Sequence, residues 1–296
     1  MTDRNLFGFD VIDGHMHFVN IERFKYYWMR EVPEKLRHSF DPQTANIEMS
    51  ISGIAHAIVV QAHPSISETL HLVELAEQFP FVRGIVATID LLDQGIDSTI
   101  RDYQKHTKIR AVRHQQAEDG DFDWFLQDRV LSNLKILAQS GLPYDFLCRP
   151  HQLNTLSKVA IEVPMLRIIL EHAGKPEIKL GKFDDWAAAI EPLRDTPNVC
   201  CKVSELLPQA EGTAWSSSVL RPYISHIVSV FGYDRIIWGS GWPICLLASD
   251  YERTISAILE NVESATENDL RLMFRENAIR WYRLTVPDTG SKDSES

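Results

Sequence analysis

The chain has 296 residues, of which 44% are hydrophobic and 24% charged, a composition that sets aside both a disordered polypeptide and a membrane-embedded one. No apolar run approaches the ~18 residues of a transmembrane helix, and the opening "MTDRNLFGFDVID" carries acids where a secretory signal has an apolar core, so a soluble, cytoplasmic protein is expected. A formal charge of −11 disfavours nucleic acid and anionic membranes as partners and leaves a small-molecule substrate as the expected one.

Eight short β-rich runs succeed one another: FDVIDGHMHF near the start, AHAIVVQA at 55–62, VRGIVATI from 82, IRAVRH from 109, PYDFLCR from 143, MLRIILEH from 165, NVCCKVS from 198 and DRIIWGS from 234. Amphipathic segments separate them. In 121–140, Phe122, Phe125, Leu126, Val130, Leu134 and Leu137 return at helical spacing and predict a helix whose apolar face meets the sheet. Residues 20–42, with the aromatic and basic FKYYWMREVPEKL, predict a loop beyond the first strand. The last helix, ENDLRLMFRENAIRWYRL, follows Ser264 and Thr266 as possible caps, and the polar VPDTGSKDSES predicts a disordered tail.

Strand alternating with helix implies a parallel sheet, and eight such units in this length fit one closed (β/α)₈ barrel, a TIM barrel, over residues 1–285, with 286–296 as the tail. A doubly wound open sheet is the alternative, but no GxGxxG or GxxxxGK[ST] follows any strand. The four cysteines, Cys148, Cys200, Cys201 and Cys245, include an adjacent pair and no CxxC, and read as packed thiols.

The chemistry concentrates at strand ends. Side chains two apart on a strand share a face, so His15 and His17 of "DGHMHF" point together, and two neutral imidazoles so placed suit one divalent metal such as zinc, manganese or iron. His172 ends the sixth run at the same mouth, while Glu171, one residue earlier, is expected to point away. Asp13 shares the parity of His15 but lies deeper, so it either orients an imidazole or is a buried, hydrogen-bonded structural carboxylate. Arg113, Arg149 and Lys202 stand at other strand ends as anchors for a carboxylate or a developing oxyanion. His114 should face away from Arg113, Gln61 offers an amide to a ligand, and His63 lies just beyond it. Trp242, with Phe24, Tyr26, Tyr27 and Trp28, could wall a ring-shaped substrate or pack loop against barrel. No GxSxG elbow appears, which disfavours a serine nucleophile.

Taken with their order, "DGHMHF", "AVRHQQ" with "DWFLQD", "GLPYDFLCRPHQL", "ILEHAGKP", "NVCCKVSEL" and "RIIWGSGWPICLL" make the chain resemble the amidohydrolase-related TIM-barrel hydrolases, within them the sugar lactonases such as fuconolactonase and rhamnonolactonase. The resemblance implies hydrolysis of a lactone or related cyclic ester. It implies one divalent metal, zinc or manganese, held by His15, His17 and His172, and it also admits a metal-independent site. Family members read close to GSDWP in the last strand, where the aspartate approaches the metal and takes the proton of the attacking water. Here Gly241 stands in that place, and glycine can do neither. A second departure is KVSEL, where relatives read closer to KLSGL, so that Glu205 is an added carboxylate. Three readings follow: a hydrolase with a surrogate base, Glu205 or His172, assisted by Lys202; a diverged barrel catalysing a decarboxylation, isomerisation, cyclisation or condensation; or a binding protein without turnover.

Overall fold

The computed structural model describes residues 7–114, 122–210 and 216–287. Eight parallel strands pair in sequence order: β1 (Val11–Met16), β2 (Ile54–Val60), β3 (Val82–Thr88), β4 (Ile109–Arg113), β5 (Tyr144–Phe146), β6 (Ile168–Leu170), β7 (Val199–Val203) and β8 (Ile236–Trp238). Their valines and isoleucines suit a pleated surface covered on both faces, and all the residues of β1, β5, β6, β7 and β8 are buried. The chain thus forms the (β/α)₈ barrel rather than an open doubly wound sheet.

The ring is brought round to its start by a parallel bridge between Met16 and Trp242, with His17 N donating to Trp242 O at 2.7 Å and Gly241 N to His15 O at 2.8 Å. Two glycines permit that approach. A Cβ on Gly14 would lie 2.4 Å from Ile237 Cγ2, and one on Gly239 would lie 2.8 Å from His15 Cβ, closer than packed carbons approach.

The principal crossover helices are α1 (Pro42–Ile51), α2 (Ile66–Gln78), α3 (Ile96–Gln104), α4 (Asp128–Ser140), α5 (Leu153–Glu162) and α6 (Phe183–Ile190). After β7 come a short α7 (Leu206–Gln209) and α8 (Arg221–Phe231), and after β8 come α9 (Tyr251–Leu259), α10 (Glu267–Arg271) and α11 (Asn277–Tyr282). The single helix expected over 121–140 is instead a 3₁₀ turn, Phe122–Leu126, followed by α4, which buries Val130, Leu134 and Leu137 and ends at Gly141 with φ +77°. At the other end Thr266 and Asp269 form a reciprocal capping box at α10, and a π-turn, Leu272–Glu276, leads into α11. There Trp281 and Tyr282 pack with Ile12, Val60, Val86, Ile169 and Ile237 and fill the barrel's base. The loop expected over 20–42 runs to Asp41, carries 3₁₀ turns at Tyr27–Arg30 and Glu34–Leu36, and is stapled at its neck by reciprocal Val19–Phe40 backbone bonds of 2.9 and 2.8 Å. All four cysteines are free and buried. The expected tail lies outside the described residues from 288 onward. Among the described residues no helix is long and apolar enough to cross a membrane.

Candidate active site

The carboxyl ends of the strands converge on one buried cluster. From β1 and its extension, His15 Nε2 and His17 Nε2 lie 3.1 Å apart. His17 Nδ1 donates to Val60 O at 2.7 Å, so its Nε2 turns a lone pair towards His15. Burial, reinforced by Arg113, holds the His17 pKa down to about 4, and burial and Lys202 hold that of His15 well below its ordinary value. Burial likewise depresses His172. Near pH 7 all three imidazoles are neutral and able to present lone pairs.

Beneath them lies an ionic layer. Lys202 Nζ donates to Asp145 Oδ2 at 2.6 Å and lies 3.2 Å from His15 Nδ1 and 3.7 Å from Glu171 Oε1. Tyr282 Oη donates to Asp145 from below, at 2.8 Å. Arg113 donates to Glu171 Oε2 at 2.6 Å and to the carbonyl of Gln61 at 2.5 Å. Burial raises the Glu171 pKa, but the charges of Arg113 and Lys202 outweigh it and hold the group at about 2. Asp145, buried beside the same lysine but also beside Glu171, is pushed up to about 6. Lys202 is fully buried beneath His15 and is not among the residues lining the cleft.

One expectation about side-chain direction fails here, and one open alternative is decided. Glu171 does not point away but stands inside the cluster, its Oε1 3.4 Å from His15 Nδ1. Strand β6 ends at Leu170 and the chain coils at once, with His172 at φ 53° and Ala173 at φ 50°, so alternation stops and consecutive residues both enter the mouth. Of the two roles open to Asp13, its contacts match the structural one and not the orienting of an imidazole. The β1 register shifts between Asp13 and Met16, and the Asp13 carboxylate accepts from His15 N at 3.0 Å, Ser240 N at 2.9 Å and Tyr251 Oη at 2.8 Å. It braces the β1–β8 seam rather than the site.

The most informative contact joins Glu205 and Gly241. Gly241 has φ +68°, and a Cβ built on it would lie 2.3 Å from Glu205 Cγ. The glutamate side chain therefore fills the space that any side chain at 241 would need. Glu205 itself has φ 53°, a left-handed conformation that turns its buried side chain to within 3.6 Å of His172, measured from Oε2 to Nε2. His172 Nδ1 is held by Ser204 Oγ at 2.9 Å. Two groups of donors lie within 4.8 Å of one another, His15 with His17 and Glu205, and His15 with Glu171 and His172.

Above this cluster opens a cleft of about 330 Å³ whose lining includes His17, Arg113, Arg149, His172, Lys175 and Glu205, with Trp28 from the 20–42 loop. Of the other expected ligand contacts, Gln61 is fully buried with no hydrogen-bond partner for its amide among the described residues, and Trp242 is buried edge-on against Phe40, with ring centroids 5.4 Å apart. His63 pairs with Ser65 at 3.0 Å, and His114 accepts from Leu91 N at 3.1 Å, away from the cleft. Phe24 and Tyr26 are buried within the loop and Tyr27 is exposed.

These features define a neutral-histidine, carboxylate-bearing site at the mouth of a (β/α)₈ barrel. A family model described as amidohydrolase matches residues 12–284, and the chain belongs to the amidohydrolase family. It is 31% identical over 281 residues to an L-fucono-1,5-lactonase of Burkholderia ambifaria, covering 93% of this chain and 96% of that one. A second L-fucono-1,5-lactonase, from Burkholderia multivorans, is 28% identical over 290 residues, covering 93% of this chain and 97% of that one. Among solved structures, a zinc-bound amidohydrolase from Burkholderia multivorans superposes with TM-score 0.85 at 26% identity, covering 94% of this chain and 100% of that one. The chain is thus a lactonase-like member of a hydrolase family.

Proposed function

We propose that the protein hydrolyses a lactone and that Glu205 is its general base, taking over from β7 the role that an aspartate at the end of β8 has in the relatives it resembles. The observation that carries this reading is the 2.3 Å separation between a Cβ at 241 and Glu205 Cγ. The carboxylate is relocated rather than lost, which favours hydrolysis over the non-hydrolytic and binding-only readings.

The donor set suits a divalent cation. Two imidazole nitrogens 3.1 Å apart, one with its lone pair fixed by the Val60 bond, match ligands sharing an ion at ~2.0–2.1 Å, and Glu205 or His172 supplies a further donor. Bound there, zinc or manganese would polarise the lactone carbonyl and acidify water. The chain's own residues do the rest. Lys202 and Glu171 fix the His15 ring from behind. Arg113, held by Glu171, directs positive charge into the cleft towards the oxygen that becomes negative as water adds. Glu205 accepts the proton of the attacking water and returns it to the ring oxygen as the carbon–oxygen bond breaks, so one water is consumed and a hydroxy acid leaves. His172 adds a neutral donor beside Glu205, and Arg149 stands further out to hold substrate.

The test is steady-state hydrolysis of L-fucono-1,5-lactone and simpler δ-lactones by the protein and by Glu205→Gln. Loss of a positioned base predicts a kcat fall of ~10²–10⁴ with KM little changed. Undiminished kcat in the variant would remove Glu205 from the chemistry.

A further inference from the structure

We infer that the protein carries a second binding site, for a small organic ammonium ion, in a cavity between α1, α2 and the loop after β1, and that this site is coupled to the active cleft behind it. The cavity measures about 180 Å³ and shares no described lining residue with the cleft. Phe18, Phe40, Pro42, Leu72 and Leu75 give it apolar walls. An engineered apolar cavity of about 150 Å³ takes up benzene, so this one admits a six-membered ring with a short arm.

The polar lining selects a cation. Glu68 lines the cavity and is 1% exposed. Its Oε2 accepts from two backbone N–H groups, and the hydroxyl of Tyr26 bears on the same carboxyl, yet Oε1 has no hydrogen bond among the described residues. A buried carboxyl oxygen without a partner calls for a donor, and an ammonium is a donor that also matches its charge. The second acid of the lining, Asp41, stands at the exposed rim, where it caps Thr44 N at 2.7 Å. No lysine or arginine is among the described lining residues. Burial and Arg23 hold His71 below its ordinary value and leave it neutral; Arg23 itself lies outside the lining, 2.8 Å from His71 Nδ1 and 3.8 Å from Glu74.

Coupling runs through two successive peptide groups. The Gln61–Ala62 group gives its N–H to Glu68 Oε2 at 2.9 Å and accepts at its carbonyl from Arg113 at 2.5 Å. The Ala62–His63 group gives its N–H to the same oxygen at 2.6 Å and accepts at its carbonyl from Trp28 Nε1 at 3.1 Å. Arg113 and Trp28 both line the cleft. A cation beside Oε1 draws carboxylate charge away from Oε2, slackens both N–H bonds, and so loosens the two carbonyls that hold those side chains.

The probe is benzylammonium, with benzyl alcohol as its neutral counterpart, followed by calorimetry at pH 8, where Glu68, pushed up by burial to about 7, carries its charge. The expected result is one ammonium per chain, bound at least tenfold tighter than the alcohol, the least that a hydrogen bond to a charged group returns. Glu68→Gln, which keeps an acceptor for the backbone, brings the two affinities together. Gln43→Trp, an exposed position on the lining, weakens both ligands by filling the cavity, and Glu205→Gln leaves the ammonium bound. Equal affinities in the parent protein, or ammonium binding that survives both Glu68→Gln and Gln43→Trp, overturns the inference. Binding lost in Glu205→Gln places the amine in the cleft instead and overturns it equally. The coupling is read from lactone hydrolysis, and only this readout rests on the lactonase reading: saturating benzylammonium should raise KM about fivefold in the parent and not in Glu68→Gln. Binding at Glu68 with KM unmoved refutes the coupling. If no lactone is hydrolysed, the lactonase reading falls, while calorimetry still decides the ammonium site.

Discussion

Restoring an aspartate at Gly241 should damage this enzyme rather than improve it, because its place is already filled. The aspartate Cβ would overlap Glu205 Cγ at 2.3 Å and come within 3.3 Å of the carboxyl carbon. The backbone there has φ +68°, which costs a non-glycine residue roughly 1–2 kcal/mol. Displacing the glutamate adds an overpacking cost of about 1–3 kcal/mol, and two carboxylates would then share one small space. The sum is about 2–5 kcal/mol, which for a chain of this size lowers Tm by roughly 3–8 °C. Activity should fall with it, because the acid pushed aside is the one we propose as the base. The partner substitution reverses the sign. Glu205→Gly empties the space and also relieves a left-handed residue, with φ 53° at 205. Glu205→Gly together with Gly241→Asp is therefore expected to recover at least half of the lost stability and most of the lost kcat, while Glu205→Gly alone remains inactive. Thermal melts and lactone hydrolysis on all four proteins complete a double-mutant cycle. If Gly241→Asp alone keeps its Tm and gains activity, the two positions do not compete, and the relocated-base argument is wrong.

Three further outcomes follow from the contacts around the site. Lys202→Met strips the counter-ion from Asp145, 2.6 Å away and fully buried, and should cost about 3–5 kcal/mol in chemical denaturation; adding Asp145→Asn should return much of it, and a cost unchanged by that second substitution would contradict the pairing. Gly14→Ala places a Cβ 2.4 Å from Ile237 Cγ2 and 2.7 Å from Trp238 O, so we expect the β1–β8 seam to open at a cost of about 1–3 kcal/mol, with a larger proportional loss of activity and of bound metal measured by elemental analysis than of fold measured by circular dichroism. Glu68, whose Oε2 accepts from Ala62 N at 2.9 Å and His63 N at 2.6 Å, is raised by burial from 4.5 to about 7. Between those values the folded chain holds a proton that the unfolded chain has lost, so its contribution is full below pH 4.5 and disappears as pH rises through 7. Glu68→Gln should therefore match the parent protein near pH 4.5 and exceed it by about 3 kcal/mol above pH 7; a stability difference independent of pH would refute the assignment.

What the sequence made legible, and what it hid, divides along one physical line. The eight strands were readable because each is a short run of β-branched and apolar residues covered on both sides, a property carried by the residues themselves. The pairing of His15 with His17 was readable for the same reason, since both lie on one stretch of chain. Errors came where direction depends on a distant neighbour. Asp13 leaves the parity of His15 because β1 shifts register beside the glycine-lined contact with β8, and Glu171 joins His172 because β6 stops after Leu170 and the chain turns through left-handed residues. Alternation cannot be carried past either point. Glu205 and Gly241 were each visible as a departure from the family pattern, and Glu205 was one of two candidates for the missing base, but the sequence did not show that the two positions share one space. Their strands are neighbours in the barrel, Lys202 pairing with Ile237 and Val203 with Trp238, so residues a few positions beyond those pairs must meet at the mouth. Two anomalies at adjacent strand ends, a gained carboxylate and a lost one, are better treated as a single exchange, because the space that one side chain vacates is the space the other needs.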